Sequence, residues 1–144
     1  MKYLCLSLLA FIPHVVAFDA SAMKSAGGAL IDSTEPVHSF EYVSNGNANF
    51  LVLNKEIGRK GNSAIWKYVD HLPIPDIDLD YSLYYAMCNL NGTFEPRVVA
   101  IAKLEMDKEI NREVKEAWFA NLELGKYQKI DTSNIECINE GYGL

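Results

Sequence analysis

Residues 77–87 read Ile-Asp-Leu-Asp-Tyr-Ser-Leu-Tyr-Tyr-Ala-Met (IDLDYSLYYAM), the clearest period-two pattern in the chain. Every odd-numbered position, from Ile77 to Met87, carries an apolar or aromatic side chain. The even-numbered positions at its start, with the residue before it, are polar: Asp76, Asp78, Asp80 and Ser82. Because successive side chains of a β-strand point to opposite faces, this pattern predicts a half-buried strand whose wet face carries the aspartates.

On either side of this strand, short apolar runs alternate with turn residues, a rhythm that favours antiparallel β structure. From Tyr84 onward the even positions also become apolar, so the strand should continue to the turn at Asn91-Gly92 with both faces buried. The predicted strands are 37–43, 50–57, 64–69, 77–90, 98–106, 116–121, 127–130 and 135–138. We expect a mainly β protein: an antiparallel sheet, a sandwich or a small barrel of about six to eight strands.

Residues 107–124 fit two structures. In a helix, one stripe would contain Ile110, Val114, Ala117, Trp118 and Leu122. In a strand, residues 116–121 would alternate imperfectly and Gly125-Lys126 would turn the chain into the next strand. The β context favours the strand, and an α+β fold with one helix remains the alternative.

The N-terminus predicts a chain in three parts. Lys2 precedes an apolar run at 4–12, and Val15-Val16-Ala17 suits signal peptidase, so residues 1–17 are expected to be a signal peptide. That run is too short to cross a bilayer, and no transmembrane segment is expected. Residues 18–34 are expected to form a flexible, extended leader and residues 35–144 a single β-rich domain. The protein is therefore expected to be secreted or periplasmic.

The cysteines are consistent with an oxidising compartment. Cys5 would leave with the signal peptide, and the remaining pair, Cys88 and Cys137, is expected to form a disulfide. No CxxC or HxxxH spacing accompanies these residues, so neither a metal site nor a cofactor is predicted.

The charge balance selects among classes of partner. The chain has 13 Lys and Arg against 19 Asp and Glu, a net charge of −6. No basic run is longer than Arg59-Lys60, which makes nucleic acid and an anionic membrane poor partners. A basic protein or a cationic ligand is the partner that this balance favours.

The aspartates at 76–80 lack the pattern of a known chemical site. An EF-hand loop that starts at Asp76 needs Gly and Glu where the chain has Tyr81 and Met87. General acid–base catalysis needs two carboxyl groups in different environments, and alternate residues on one strand face share the same one. We predict no catalytic residue, and we expect Asp76, Asp78 and Asp80 to be candidate binding residues on a solvated face.

Trp66 and Tyr68 are the other candidate binding residues. They share one face of the predicted strand 64–69, opposite Ile65 and Val69. Either this strand is central and buried on both faces, or its two aromatic side chains face outward and bind something. Tyrosine and tryptophan are favoured in recognition surfaces.

A small, acidic, exported β protein with one disulfide resembles periplasmic proteins, including the periplasmic lysozyme inhibitors, in size, charge and export only. The first hypothesis is a non-catalytic binding or inhibitory module. The alternatives are a secreted hydrolase without a recognisable motif and a structural protein associated with the cell envelope. The sequence favours a protein that is not an enzyme.

Overall fold

A computed structural model describes residues 18–144; residues 1–17, with the predicted signal peptide, lie outside the described residues. The described chain is nearly all β. It forms one short 3-10 helix, Ala20–Ala22, and twelve strands: β1 (Lys24–Leu30), β2 (His38–Ser44), β3 (Asn49–Lys60), β4 (Ser63–Ile74), β5 (Tyr81–Tyr85), β6 (Cys88–Leu90), β7 (Thr93–Phe94), β8 (Val98–Lys103), β9 (Ile110–Asn111), β10 (Val114–Asn121), β11 (Lys126–Lys129) and β12 (Ile135–Ile138). No helix within 18–144 is long and apolar enough to cross a membrane.

The strands form three antiparallel sheets of four strands each. Sheet A has the order β1-β2-β3-β4, sheet B the order β11-β10-β8-β5, and sheet C the order β7-β6-β12-β9. This confirms the predicted antiparallel β fold. The strands outnumber the predicted six to eight because the predicted strand 77–90 is divided into β5 and β6, and because β1, β7 and β9 produce no periodic signal.

Sheet B is covered on both faces, which explains why its central strand β8 is apolar at successive positions. Val99 and Ile101 pack in a core with Phe40 and Leu51 of sheet A. Val98, Ala100 and Ala102 pack in a second core with residues of sheet C, including Ile135. Burying a large aliphatic or aromatic side chain stabilises the fold by about 1.5–3 kcal/mol.

The second core contains the disulfide. Cys88 on β6 and Cys137 on β12 are directly paired in sheet C, are bonded to each other, and are both fully buried. The predicted disulfide is thus confirmed, and it links two strands that are 49 residues apart in sequence.

The strand predicted from residue 77 begins later and ends earlier than the period-two pattern indicates. Residues 75–80 form a loop, and β5 starts only at Tyr81, whose amide donates to the carbonyl oxygen of Asp78 at 2.9 Å. Tyr81 pairs with Lys103, the last residue of β8, and the ladder ends one residue further, with the hydrogen bond of 2.8 Å from the Leu104 amide to the Asp80 carbonyl oxygen. At the other end, Ala86 has a φ of 58°, and the chain passes there from sheet B to sheet C.

Residues 18–34 contain a paired strand where a flexible leader was expected. β1 pairs antiparallel with β2 as the edge strand of sheet A. Its small, mostly exposed side chains have no apolar periodicity, so only the backbone hydrogen bonds identify it as a strand. Gly28 permits the close approach, because a Cβ there would lie 2.7 Å from the carbonyl oxygen of Phe40.

The ambiguous segment 107–124 is strand, as the β context favoured. β10 lies between β8 and β11 in sheet B, and Gly125, with a φ of 61°, closes the hairpin into β11. Trp118 is buried against sheet A, and this tertiary packing outweighs the helical propensity of the segment. The helix alternative is wrong.

Candidate functional site

The aspartates at 76–80 do not form the wet face of a strand. All three lie exposed in the loop 75–80. Only Asp78 is paired: its carboxylate accepts a hydrogen bond from Lys115 Nζ at 2.6 Å, which raises the pKa of that ammonium. Among the described residues, no three His, Cys, Asp or Glu side chains lie together as a metal site.

Trp66 and Tyr68 face outward. Their exposed fractions are 38% and 44%, so the strand that carries them is not buried on both faces. β4 is the edge strand of sheet A, and this explains why it also continues through Pro73 where the sequence predicted a stop.

Trp66 lies in a part of sheet A that β2 does not reach, and Tyr68 lies at the boundary of that part, opposite Asn54. β2 pairs with β3 only as far as the register pair His38–Lys55, after which Glu56 donates its amide to the carbonyl oxygen of Val37. Beyond that point β3 and β4 continue as a two-stranded ribbon. We call residues 55–68 the arm. No residue of the arm is buried, although it contains Ile57, Ile65 and Trp66.

The arm has two chemically different faces. Directly paired residues share a face, and a bulge at Ile57 sets the register beyond it. The tryptophan face contains Glu56, Arg59, Ala64, Trp66 and Tyr68. The lysine face contains Lys55, Gly58, Lys60, Ser63, Ile65 and Lys67.

The arm carries a charge opposite to that of the remaining chain. It has four basic residues and one acidic residue, a net charge of +3, whereas the other described residues have eight basic and eighteen acidic side chains, a net charge of −10. Cross-strand neighbours Lys55 and Lys67 put two of these positive charges side by side. The linear sequence did not indicate this cluster, because its longest basic run is Arg59-Lys60.

The lysines of the arm form no ion pair with another described residue. Seven of the twelve basic residues of 18–144 are in ion pairs: Arg59, Arg97, Lys103, Lys108, Arg112, Lys115 and Lys129. Five have no ion pair with another described residue: Lys24, Lys55, Lys60, Lys67 and Lys126. Three of these five therefore share the lysine face.

An aromatic cluster supports the base of the arm. The ring of Phe18 stacks on His71 at 4.4 Å and on Tyr68 at 5.6 Å, and contacts Phe50 edge-on at 5.1 Å. Tyr68 Oη lies 2.6 Å from His71 Nδ1. Burial, and then the charge of Asp70, raise the pKa of Tyr68. Tyr68, at the base of the tryptophan face, thus packs against Phe18 and His71.

A groove of about 470 Å³ lies at the base of the arm, lined by residues 35–37 and 56–59. Ile57 forms part of its wall and is 60% exposed. Arg59 and Glu56 form an ion pair of 2.7 Å in the same wall. The groove thus extends the exposed apolar surface of the arm to the start of β2.

The carboxyl groups do not provide an obvious general acid. Four described carboxyl groups have shifted pKa values, all of them lowered by hydrogen bonds from neighbours: Asp19, Glu95, Glu113 and Asp131. A carboxyl group that donates a proton near neutral pH needs a raised pKa instead. Comparison with known proteins adds no chemistry, since no family model, curated protein or solved structure matches the chain.

Proposed function

We propose that this chain is an exported, non-catalytic binding module and that the arm is its contact surface. The observation that carries the proposal is the exposure of Ile57, Ile65 and Trp66 on a ribbon of only two strands. Two-stranded ribbons are marginally stable in water unless something packs on them. A partner that covers the arm would remove this apolar surface from water.

The arm has the composition of a hot spot, the small group of residues that contributes most of the binding energy in a protein interface. Hot spots are enriched in tryptophan, tyrosine and arginine, and the arm has one of each: Trp66, Tyr68 and Arg59. Six strand residues from Lys55 to Lys60 extend about 20 Å at the usual rise per residue. An arm of this length can enter a cleft of another protein, which is the geometry of an inhibitory module.

The described residues outside the arm, which we call the body, offer a second, electrostatic contribution to binding. The net charge of the body, −10, favours the approach of a basic protein or a cationic ligand, the partner expected from the composition. Asp76 and Asp80 lie beside Leu79, whose side chain is fully exposed. A partner that meets both the body and the arm would need positive and negative surfaces in matching positions.

A capture experiment tests the role of the arm. The protein, produced in full and purified after export, is immobilised and exposed to the secreted or periplasmic fraction of the producing cells. The double variant Ile65→Ala/Trp66→Ala is compared with Phe94→Ala/Leu124→Ala, which removes two exposed apolar side chains outside the arm. Proteins retained by the wild type are identified by mass spectrometry, purified, and measured by calorimetry.

The arm variant should lose a partner that the wild type and the control variant both retain. Circular dichroism of both variants verifies that they are folded. Equal retention of every partner by all three proteins would refute the arm as the contact surface.

A further inference from the structure

We propose that the lysine face of the arm binds an acidic peptide segment of a partner protein. This inference rests on the proposed function of the arm and specifies the chemistry of what the arm contacts. The residues that carry it are Lys55, Lys60 and Lys67, with Ile65 between them on the same face.

These three lysines have no ion pair with a described residue, in a chain with surplus acid. Residues 18–144 contain nineteen carboxylate side chains, yet none forms an ion pair with Lys55, Lys60 or Lys67. Like charges directly opposite each other on a sheet are destabilising, and Lys55 opposes Lys67. An external carboxylate placed between these two ammonium groups would convert that repulsion into attraction.

The lysine face continues along the arm beyond the last residue of β3 that pairs with β2. An acidic segment is repelled by the body, whose net charge is −10. At physiological ionic strength such repulsion is largely screened beyond about 8 Å. Lys60 lies at the end of β3, next to the turn of the ribbon, and beyond the last residue of β3 that pairs with β2. The distal part of the lysine face is therefore accessible to an acidic segment that the body would exclude.

The order of residues along the arm favours a peptide over an anionic bilayer as the ligand. Along the arm, Arg59 and Lys60 lie nearer the tip than Trp66. A ribbon that entered a bilayer tip first would need the reverse order, with apolar side chains deepest. Apolar residues also lie on both faces, Ile65 on one and Trp66 on the other, whereas a planar surface contacts only one face.

The residue types indicate how the segment is recognised. Lysine is a flexible point charge, whereas bidentate recognition of a carboxylate uses the planar fork of arginine. The lysine face should consequently tolerate different acidic sequences and should bind less tightly as salt increases. Ile65 adds a site for one apolar side chain within the acidic segment.

Poly-L-glutamate, labelled with a fluorophore, is the probe of this inference. Its binding to the full purified protein is measured by fluorescence anisotropy at low and at physiological salt. The test variant is Lys60→Glu/Lys67→Glu, which changes two exposed lysines of the lysine face. The matched control is Lys24→Glu/Lys126→Glu, which changes the net charge by the same amount at two other exposed lysines without ion pairs.

The expected result is binding at low salt that weakens at physiological salt. The test variant should bind at least about tenfold more weakly than the wild type, and the control variant no more than about threefold more weakly. Such a difference would place the acidic polypeptide on the lysine face.

Two results would overturn the inference: no binding of poly-L-glutamate at low salt, or an equal loss in both variants. If poly-L-glutamate does not bind and vesicles of phosphatidylglycerol and phosphatidylcholine do, the lysine face is assigned to lipid. The capture experiment with Ile65→Ala/Trp66→Ala is independent of this probe. Capture that depends on the arm, without any effect of the lysines on poly-L-glutamate, would therefore refute this inference alone.

Discussion

Lys55 and Lys67 lie directly opposite each other on the two strands of the arm, at the point where β2 stops pairing with β3. Their repulsion opposes the pairing of β3 with β4 at the base of the arm. Lys67→Glu would create an opposite-charge pair across the ribbon. We expect amide hydrogen exchange in the arm to slow by a factor of about two to five at low salt.

The control for this prediction is Lys126→Glu on β11, which removes an exposed lysine outside the arm. It should leave exchange in the arm unchanged. High salt should reduce the effect of Lys67→Glu, because the pair is exposed and screened. Unchanged or faster exchange in the arm at low salt would show that the two lysines do not repel each other significantly.

Tyr127 has a buried hydroxyl group without a hydrogen-bond partner among the described residues. Burial, followed by the nearby charge of Asp70, raises the pKa of this phenol well above its ordinary value. Tyr127→Phe removes an unpaired polar group from the interior. We expect the free energy of unfolding, measured by urea denaturation, to stay unchanged or to rise by up to about 1 kcal/mol.

Tyr84 shows the opposite case. Its hydroxyl accepts a hydrogen bond of 2.9 Å from Asn111 Nδ2, and Asn111 is fully buried. Tyr84→Phe would leave that amide donor without this partner, so the free energy of unfolding should fall by about 1–3 kcal/mol. Equal effects of Tyr84→Phe and Tyr127→Phe would contradict the assignment of hydrogen bonds in both places.

The β fold was predictable because two-residue periodicity reports burial directly. The exact extent of the strands was not, because alternation cannot reveal whether a neighbouring strand is present. The aspartates at 76–80 continue the alternation of β5, but β8 ends opposite Tyr81, and the pairing stops after the hydrogen bond from the Leu104 amide to the Asp80 carbonyl oxygen. Conversely, β1 has a partner but no apolar alternation, so its residues resembled a leader.

The candidate site was predictable only in part, since it depends on a difference in strand length. Trp66 and Tyr68 could be singled out as aromatic residues on one strand face. Trp66 lies beyond the end of the β2–β3 pairing at Lys55 and Tyr68 lies just before it, and no local pattern indicates where that pairing ends. The lysine face was missed because Lys55 and Lys67 are distant in sequence, and the bulge at Ile57 changes the register towards the turn.

Glu95 and Arg97 predict a pH dependence of stability. Hydrogen bonds from the Arg97 guanidinium, both at 2.7 Å, hold the pKa of Glu95 below its ordinary value of 4.5. A lowered pKa in the folded state stabilises the protein above the unfolded pKa, and this contribution is lost as the pH falls through the folded value. Because Arg97 is partly exposed, Glu95→Gln should cost less than about 1 kcal/mol at pH 7.

Urea denaturation across the acid range measures this contribution. The difference between wild type and Glu95→Gln should be largest above about pH 5 and should disappear at lower pH. Glu140→Gln, an exposed carboxylate outside the ion pairs of the described chain, is the control and should change little. A difference for Glu95→Gln that grows as the pH falls would have the wrong sign.

The disulfide should contribute more to stability than any single ion pair. It closes a loop across 49 residues of sequence, and constraining such a loop in the unfolded chain stabilises the folded state by about 4 kcal/mol. Cys88→Ala/Cys137→Ala should lower the free energy of unfolding by roughly that amount at unchanged pH. Wild type unfolded in the presence of a reductant should match the double variant, because both lack the same constraint. A loss below about 1 kcal/mol would mean that packing of Ile135 and Val98 holds sheet C against sheet B without the covalent link.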